Sequence, residues 1–192
     1  MLRPECGTAE RSAGFSTTVG AMSLPEPRNP SGPYRICVVC LGNICRSPMA
    51  EKILLTDLAR AGLADRVQVD SAGTGNWHVG ADMDRRAAST LRKYGYPTGH
   101  VARQFSPSWF PERDLILAMD TDNLADLVRL APDEETKDRI RLFRSFAPGV
   151  GPNPEVPDPY YGGEDGFITV LTMIEAASKG LVGELTALFS AR

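Results

Sequence analysis

Val38-Val39-Cys40-Leu41-Gly42-Asn43-Ile44-Cys45-Arg46-Ser47-Pro48 decides how the rest of the chain is read. Ahead of the cysteine, Ile36-Cys37-Val38-Val39 has the length and β-branched content of a buried strand. Behind the arginine, Pro48 stands near a helix start, and Met49-Ala50, Ile53-Leu54, Leu58 and Ala61 recur at helical spacing before Gly62. Cys40 to Ser47 is therefore a turn from a strand into a helix. Backbone N–H groups in such a turn point inward at an anion, and the helix N-terminus adds partial positive charge. Leu41, Gly42, Asn43, Ile44 and Cys45 would supply the amides, and Arg46 would grip two phosphate oxygens at once. The same field favours a thiolate at Cys40. A nucleophile and an oxyanion clamp then face one phosphoryl group. Cys37, inside the strand, reads as a small buried hydrophobe.

Composition narrows the class. The 192 residues carry 21 Lys and Arg against 24 Asp and Glu, a net charge of −3, so no basic field steers the chain to nucleic acid or an anionic membrane. Two histidines and four cysteines, with no Cys-x2-Cys or His-x3-His pair, argue against a metal site. Three of those cysteines crowd into positions 37 to 45, which suits a reducing, cytoplasmic setting better than a disulfide scaffold. No apolar run approaches the roughly 18 residues of a membrane span, and the first 30 residues lack the apolar core of a secretory signal.

Residues 1–33 hold five prolines and no strand or helix period, which reads as a mobile tail before a domain at 34–192. Met22 is an alternative start within that tail. From Tyr34 the chain alternates. Strands are expected at about 35–40, at Val67–Ser71, at Asp114–Met119 and at Ile140–Phe143. Helices are expected to about Ala61, over 84–95, near 121–131 and over about 164–189, the last with Phe167, Val170, Leu171, Ile174, Ala177, Leu181, Leu185 and Leu188 on one core-facing stripe. Asp133-Glu134-Glu135 reads as a solvated loop. The alternation predicts an α/β fold of three layers, a four-stranded parallel twisted sheet, doubly wound, with helices on both faces. Ligands of such sheets bind beyond the carboxyl ends of the strands, where Cys40, Ser71 and Met119-Asp120 gather.

Cys40-x-Gly42-Asn43-x-Cys45-Arg46-Ser47-Pro48 near the start of the domain and Asp158-Pro159-Tyr160-Tyr161-Gly162 near its end resemble the low-molecular-weight protein tyrosine phosphatase family. The resemblance spans about Tyr34 to Arg192. It implies hydrolysis of phosphotyrosine in proteins and of small aryl phosphates in two steps, without a cofactor. Cys40 would attack phosphorus to give a phosphocysteine, Arg46 would hold the equatorial oxygens, and Asp158 would protonate the leaving phenolate. From the residues alone Asp158 is an ordinary turn aspartate; the match to Asp-Pro-Tyr-Tyr makes it the acid, with Pro157 and Pro159 stiffening its loop. The family's polar network around Asn43 corresponds to Ser47, Ser71 and His100 here, with Asn43 suited to a left-handed backbone and Ser47 read also as a helix N-cap. His100 read alone is an exposed loop histidine, and Asp120 matches a family carboxylate with no chemical role expected.

Trp77, Tyr160 and Tyr161 would wall the pocket and favour a flat phenyl phosphate, although Trp77 reads equally as a half-buried loop anchor and the tyrosines also as phosphorylation sites. Cys45 lies in the same tight turn as Cys40, so a reversible, protective Cys40–Cys45 disulfide is expected. A monomer or weak dimer acting in signalling is expected. Three rivals share the turn. An arsenate reductase of this fold needs relay cysteines, and none follows Cys45. A protein-arginine phosphatase resembles this chain but carries Thr where Ile44 stands. A non-catalytic phosphate-binding module would need neither Cys40 nor Asp158.

Overall fold

The computed structural model describes residues 23–152 and 154–190. Met22 and the residues before it lie outside the described residues.

The sheet is built around β1 (Tyr34–Cys40), which pairs in parallel with β2 (Val67–Gly73) on one side and β3 (Leu115–Ala118) on the other. Outside β3 lies β4 (Ile140–Leu142), giving the order β2-β1-β3-β4. Successive strand residues point to opposite faces, and β1 shows it: Ile36, Val38 and Cys40 enter one core while Cys37 and Val39 enter the other. The first core is closed by α1 (Arg46–Arg60), α2 (Arg85–Lys93) and α5 (Glu164–Ser190). The second is closed by α3 (Thr121–Leu130) and by a 3-10 helix, Pro107–Glu112, whose Phe110 packs edge-on against Phe105. This is the expected three-layer arrangement.

The amphipathic stripes fall where the periodicity puts them. Met49, Ala50, Ile53, Leu54 and Leu58 of α1 are buried; Ala61 has left the helix and is exposed. Gly62 follows with φ of 71°, the left-handed residue that ends helices at little steric cost. By length and hydropathy α5 would be long and apolar enough to cross a membrane, but Phe167, Val170, Leu171, Ile174, Ala177, Leu181 and Leu185 are buried in the first core. Its partner is α1, where Asp57 accepts a buried hydrogen bond from Ser178 at 2.8 Å.

Two expectations are corrected. Asp133-Glu134-Glu135 opens a short helix, α4 (Glu134–Asp138), capped by Asp133 accepting from the Thr136 N–H at 2.8 Å and tied by Lys137–Glu134 and Arg139–Glu135 pairs. Residues 23–33 are not a mobile tail but a strap across the amino ends of the strands. Leu24 is buried, Tyr34 donates to the Pro25 carbonyl at 3.1 Å, and the buried Asp114 carboxylate accepts from both the Arg28 and Arg35 N–H groups at 2.6 and 2.7 Å. A segment without internal period is ordered here because its backbone groups find partners far along the chain.

Candidate active site

From β1 the chain winds outward to β2 and then returns to β3 on the other side, so the turn after β1 lies where the strand order reverses. That is the crevice where open α/β sheets bind ligands. The turn from Cys40 to Arg46 occupies it.

Asn43 sits at the centre of this turn with φ of 55°, the left-handed conformation its position predicts. It is fully buried and its side chain is spent on holding the loop. Nδ2 donates to Ser47 Oγ at 2.9 Å and to Ser71 Oγ at 3.0 Å, while Oδ1 accepts from the Arg103 N–H at 2.8 Å. His100 Nε2 meets the Asn43 carbonyl at 2.7 Å, so that nitrogen carries the proton. Ser71 passes the network outward to Glu51 Oε2 at 2.5 Å. Ser47, Ser71 and His100 thus gather around Asn43 as the resemblance implies. Ser47 is not the helix N-cap, however. The cap position falls on Cys45, with no side-chain bond, and Ser47 lies inside the first turn of α1. Its hydroxyl faces Cys40 Sγ at 3.0 Å instead. Asn43 fills one lone pair of that oxygen, and the single hydroxyl proton serves either the Ala72 carbonyl at 3.2 Å or an anionic sulfur.

Cys40 is 3% exposed and its sulfur also accepts from the Asn43 N–H at 3.3 Å. Arg46 is 2% exposed and closes the turn. Its Nη2 donates to Asp158 Oδ2 at 2.7 Å and its Nη1 to Asp120 Oδ2 at 2.5 Å and to the Val156 carbonyl at 3.2 Å. Burial opposes the guanidinium charge, but Cys40, Asp120 and Asp158 outweigh it and hold Arg46 charged beyond its ordinary range. Asp120 caps α3 through the Asn123 N–H at 2.7 Å, so its second oxygen reaches Arg46 from a fixed position. Burial, then Asp84 and Cys40, push the Cys45 thiol well above the ordinary cysteine value.

A cavity of about 330 Å³ opens above the sulfur, lined by Cys40, Leu41, Gly42, Ile44, Cys45, Arg46, Trp77, His78, Asp158, Tyr160 and Tyr161. Trp77 is 72% exposed, a wall of the mouth rather than a half-buried anchor, and its ring lies against Gly75, where a Cβ would overlap it. Tyr160 and Tyr161 stack edge-on across the opening, with Tyr161 97% exposed. Among the described residues no group of three His, Cys, Asp or Glu is arranged to hold a metal ion. A deep sulfur that accepts from the Asn43 N–H, a charged guanidinium beside it and a carboxylate bonded to that guanidinium suit in-line attack on a phosphoryl group.

Sequence reasoning missed His78, Glu51, Asp84 and Arg103. Glu51 carried a signal, since it lies one helical turn after Ser47 and shares its face. His78 and Arg103 come from loops brought in only by the fold.

The model of the family described as low molecular weight phosphotyrosine protein phosphatase matches residues 35–190. The low molecular weight protein-tyrosine-phosphatase of Streptomyces coelicolor is 52% identical over 150 residues, covering 78% of this chain and 92% of that protein. Among solved structures, a protein tyrosine phosphatase from Entamoeba histolytica matches with a TM-score of 0.77 at 37% identity, covering 80% of this chain and 97% of that one. The Drosophila arginine phosphatase matches with a TM-score of 0.72 at 33% identity, over 77% of this chain and 95% of that one.

Proposed function

The chain belongs to the low molecular weight phosphotyrosine protein phosphatase family, and we propose that within it Cys40, Arg46 and Asp158 carry the reaction. As a member it is a protein-tyrosine-phosphatase, a hydrolase that cleaves phosphotyrosine through a cysteine nucleophile. In the first step the Cys40 thiolate attacks phosphorus opposite the phenolic oxygen. The S–P bond forms, the P–O bond breaks, and Asp158 gives its proton to the departing phenolate. Arg46 and the amides of Leu41 to Cys45 hold the three equatorial oxygens, where the charge of the transition state spreads. In the second step water attacks the phosphocysteine and Asp158 takes a proton from it. Phosphate leaves and the thiolate returns, stabilised by Ser47 and the Asn43 N–H.

The observation that carries this reading is the arrangement around one sulfur. Cys40, Arg46 and Asp158 line one cavity, and Arg46 donates to Asp158 there. Rapid quench with a phosphotyrosine peptide should trap phosphate on Cys40. Cys40→Ser should abolish turnover while phosphate analogues still bind, and near-normal turnover by that variant would overturn the assignment.

Phosphotyrosine-containing proteins in the cytoplasm are the proposed substrates, with signalling as the setting. Trp77, Tyr160 and Tyr161 offer flat faces for a phenyl ring. Because the Drosophila arginine phosphatase shares the fold, the architecture does not discriminate the leaving group; Ile44, where arginine phosphatases carry Thr, favours the aryl substrate. The deciding measurement is kcat/KM for phosphotyrosine against phosphoarginine. A redox role is proposed for Cys45, which is buried with Cys40 in one turn and would close a reversible disulfide after Cys40 is oxidised by peroxide to the sulfenic acid. Recovery of Cys45→Ser from peroxide as complete as that of the wild type would remove the role.

A further inference from the structure

Arg86, in the first turn of α2, is used by none of the steps above, yet it lies between the two loops that must meet during the reaction. Its Nε and Nη2 form a fork on Asp84, at 3.1 and 3.0 Å to the two carboxylate oxygens, and Asp84 Oδ1 also accepts the Arg86 N–H at 2.8 Å. The remaining Nη1 donates to the Gly162 carbonyl at 3.2 Å. The guanidinium carbon stands 5.6 Å from the centre of the Tyr160 ring and 4.8 Å from that of Phe167, within the range of cation–π attraction. Tyr160 and Gly162 follow Asp158 in the acid loop, and Phe167 begins the stripe of α5 that anchors that loop to the core.

The other end of this clasp is the nucleophile loop. The Asp84 N–H donates to the Ile44 carbonyl at 2.8 Å, inside the turn that carries Cys40 and Arg46. One short segment, Asp84 to Arg86, therefore bonds both loops. Before Asp158 the acid loop is fixed by Val156, whose N–H donates to the Met119 carbonyl at 2.8 Å, and by Arg144 donating to the Glu155 carbonyl at 3.0 Å. Beyond Asp158, Gly162 bonds back to Pro159 at 3.0 Å within the loop, and Arg86 reaches the Gly162 carbonyl from another element. Loss of the Arg86 bond loosens the flank that follows Asp158, and misplacement of a reacting group by about 1 Å costs on the order of 10²-fold in rate.

We propose that Arg86 is a positioning residue for the leaving-group step: through Asp84 and Ile44 it sets the acid loop at a fixed distance from Cys40. It touches neither substrate nor phosphorus and acts through Asp158. The inference rests on Asp158 being the proton donor.

That dependence selects the test. A poor leaving group needs a proton in the transition state and a good one does not, so phenyl phosphate and p-nitrophenyl phosphate separate acid placement from general damage. Arg86→Ala should lower kcat/KM for phenyl phosphate about tenfold, part of the roughly 10²–10⁴ that a general acid supplies. For p-nitrophenyl phosphate the change should stay within about twofold, and competitive inhibition by inorganic phosphate should be unchanged. Arg86→Lys, which keeps the charge and loses the fork, should fall between. In an Asp158→Ala background, Arg86→Ala should change neither substrate further. Equal losses on both substrates, weaker phosphate inhibition, or additive losses in the double variant would each assign Arg86 to structure alone and overturn the proposal. If Arg86→Ala does not fold, Arg86→Gln is read by the same criteria. Should Asp158→Ala lose no more on phenyl phosphate than on p-nitrophenyl phosphate, the acid assignment fails; if it does lose more and Arg86→Ala does not, only this inference fails.

Discussion

Arg46 Nη2 donates to Asp158 Oδ2 across 2.7 Å, so the residue proposed to grip phosphate and the residue proposed to protonate the leaving group are hydrogen-bonded to each other. A bound phosphoryl group presents oxygens that compete for the same N–H donors. Binding of the anion and release of the carboxylate are thereby one exchange, which ties the acid's freedom to the presence of substrate.

That exchange separates two effects of removing the carboxylate. Asp158→Ala should lower kcat/KM for phosphotyrosine by about 10²–10⁴, the usual contribution of a general acid. Inhibition by inorganic phosphate should be equal to wild type or tighter, because Arg46 has lost a competitor. Steady-state kinetics with phosphate as a competitive inhibitor measures both, and unchanged turnover on phosphotyrosine removes Asp158 from the mechanism.

Asn43 combines a left-handed backbone with three side-chain hydrogen bonds. Asn43→Ala should destabilise the fold by about 2–4 kcal/mol, since it strains the backbone, removes three hydrogen bonds and leaves the Arg103 N–H without its acceptor. Asn43→Gly relieves the strain and restores none of the bonds, so it should be about 1 kcal/mol less costly. Urea unfolding of the two variants apportions the effect.

Gly73, at the end of β2, lies directly under the phosphate loop. A Cβ there would sit 2.7 Å from the Leu41 carbonyl oxygen and 3.1 Å from the Asn43 nitrogen, both backbone atoms that can yield only if the loop moves. At Gly42 the nearest atom is His78 Cδ2 at 2.9 Å, the end of a side chain that can rotate away. Gly73→Ala should therefore cost about 1–3 kcal/mol of stability together with a marked loss of kcat. Gly42→Ala should cost clearly less stability. Equal unfolding midpoints for the two variants would show that the loop does not rest on Gly73.

Asp84 gives the fold a defined acid sensitivity. Desolvation raises its pKa, but the bonds from Arg86 and the N–H groups at the start of α2 outweigh it and hold the carboxyl below its ordinary value of 3.8. The unfolded chain then takes up the proton first as pH falls. The contribution is complete above the unfolded value and disappears as pH falls through the folded one. Asp84→Asn should thus be less stable than wild type at neutral pH, with the gap closing below about pH 3.8. A gap that does not change as pH falls from neutral through the ordinary carboxylate range would place the effect in packing rather than charge.

The strand-turn-helix around Cys40 was legible because its signals are local: β-branched residues before the turn, a glycine and an asparagine within it, a proline after it. The same holds for α5, whose stripe repeats for most of its length. Where the cause was distant, local reading failed. Asp133-Glu134-Glu135 reads as a solvated loop, yet Asp133 caps a helix over Glu134–Asp138 and Thr136 is buried in it. Residues 23–33 showed no period because they borrow their partners from Asp114, Arg139 and Arg141. Ser47 was placed as a cap by residue type, whereas the turn of the backbone aims it at sulfur.

The order of residues along the chain by itself determined the alternation of strand and helix, the strand-to-helix turn that holds Cys40 and Arg46, and the family. Tertiary structure alone decided that Asp120 and Asp158 share one guanidinium, that Arg103 closes the Asn43 network, and that Asp84 with Arg86 spans two loops. The reason is one of range. Propensity, capping and hydrophobic period act within a few residues, while a hydrogen bond across a crevice depends on where parallel strands end, and that is set by packing the whole sheet between its two layers.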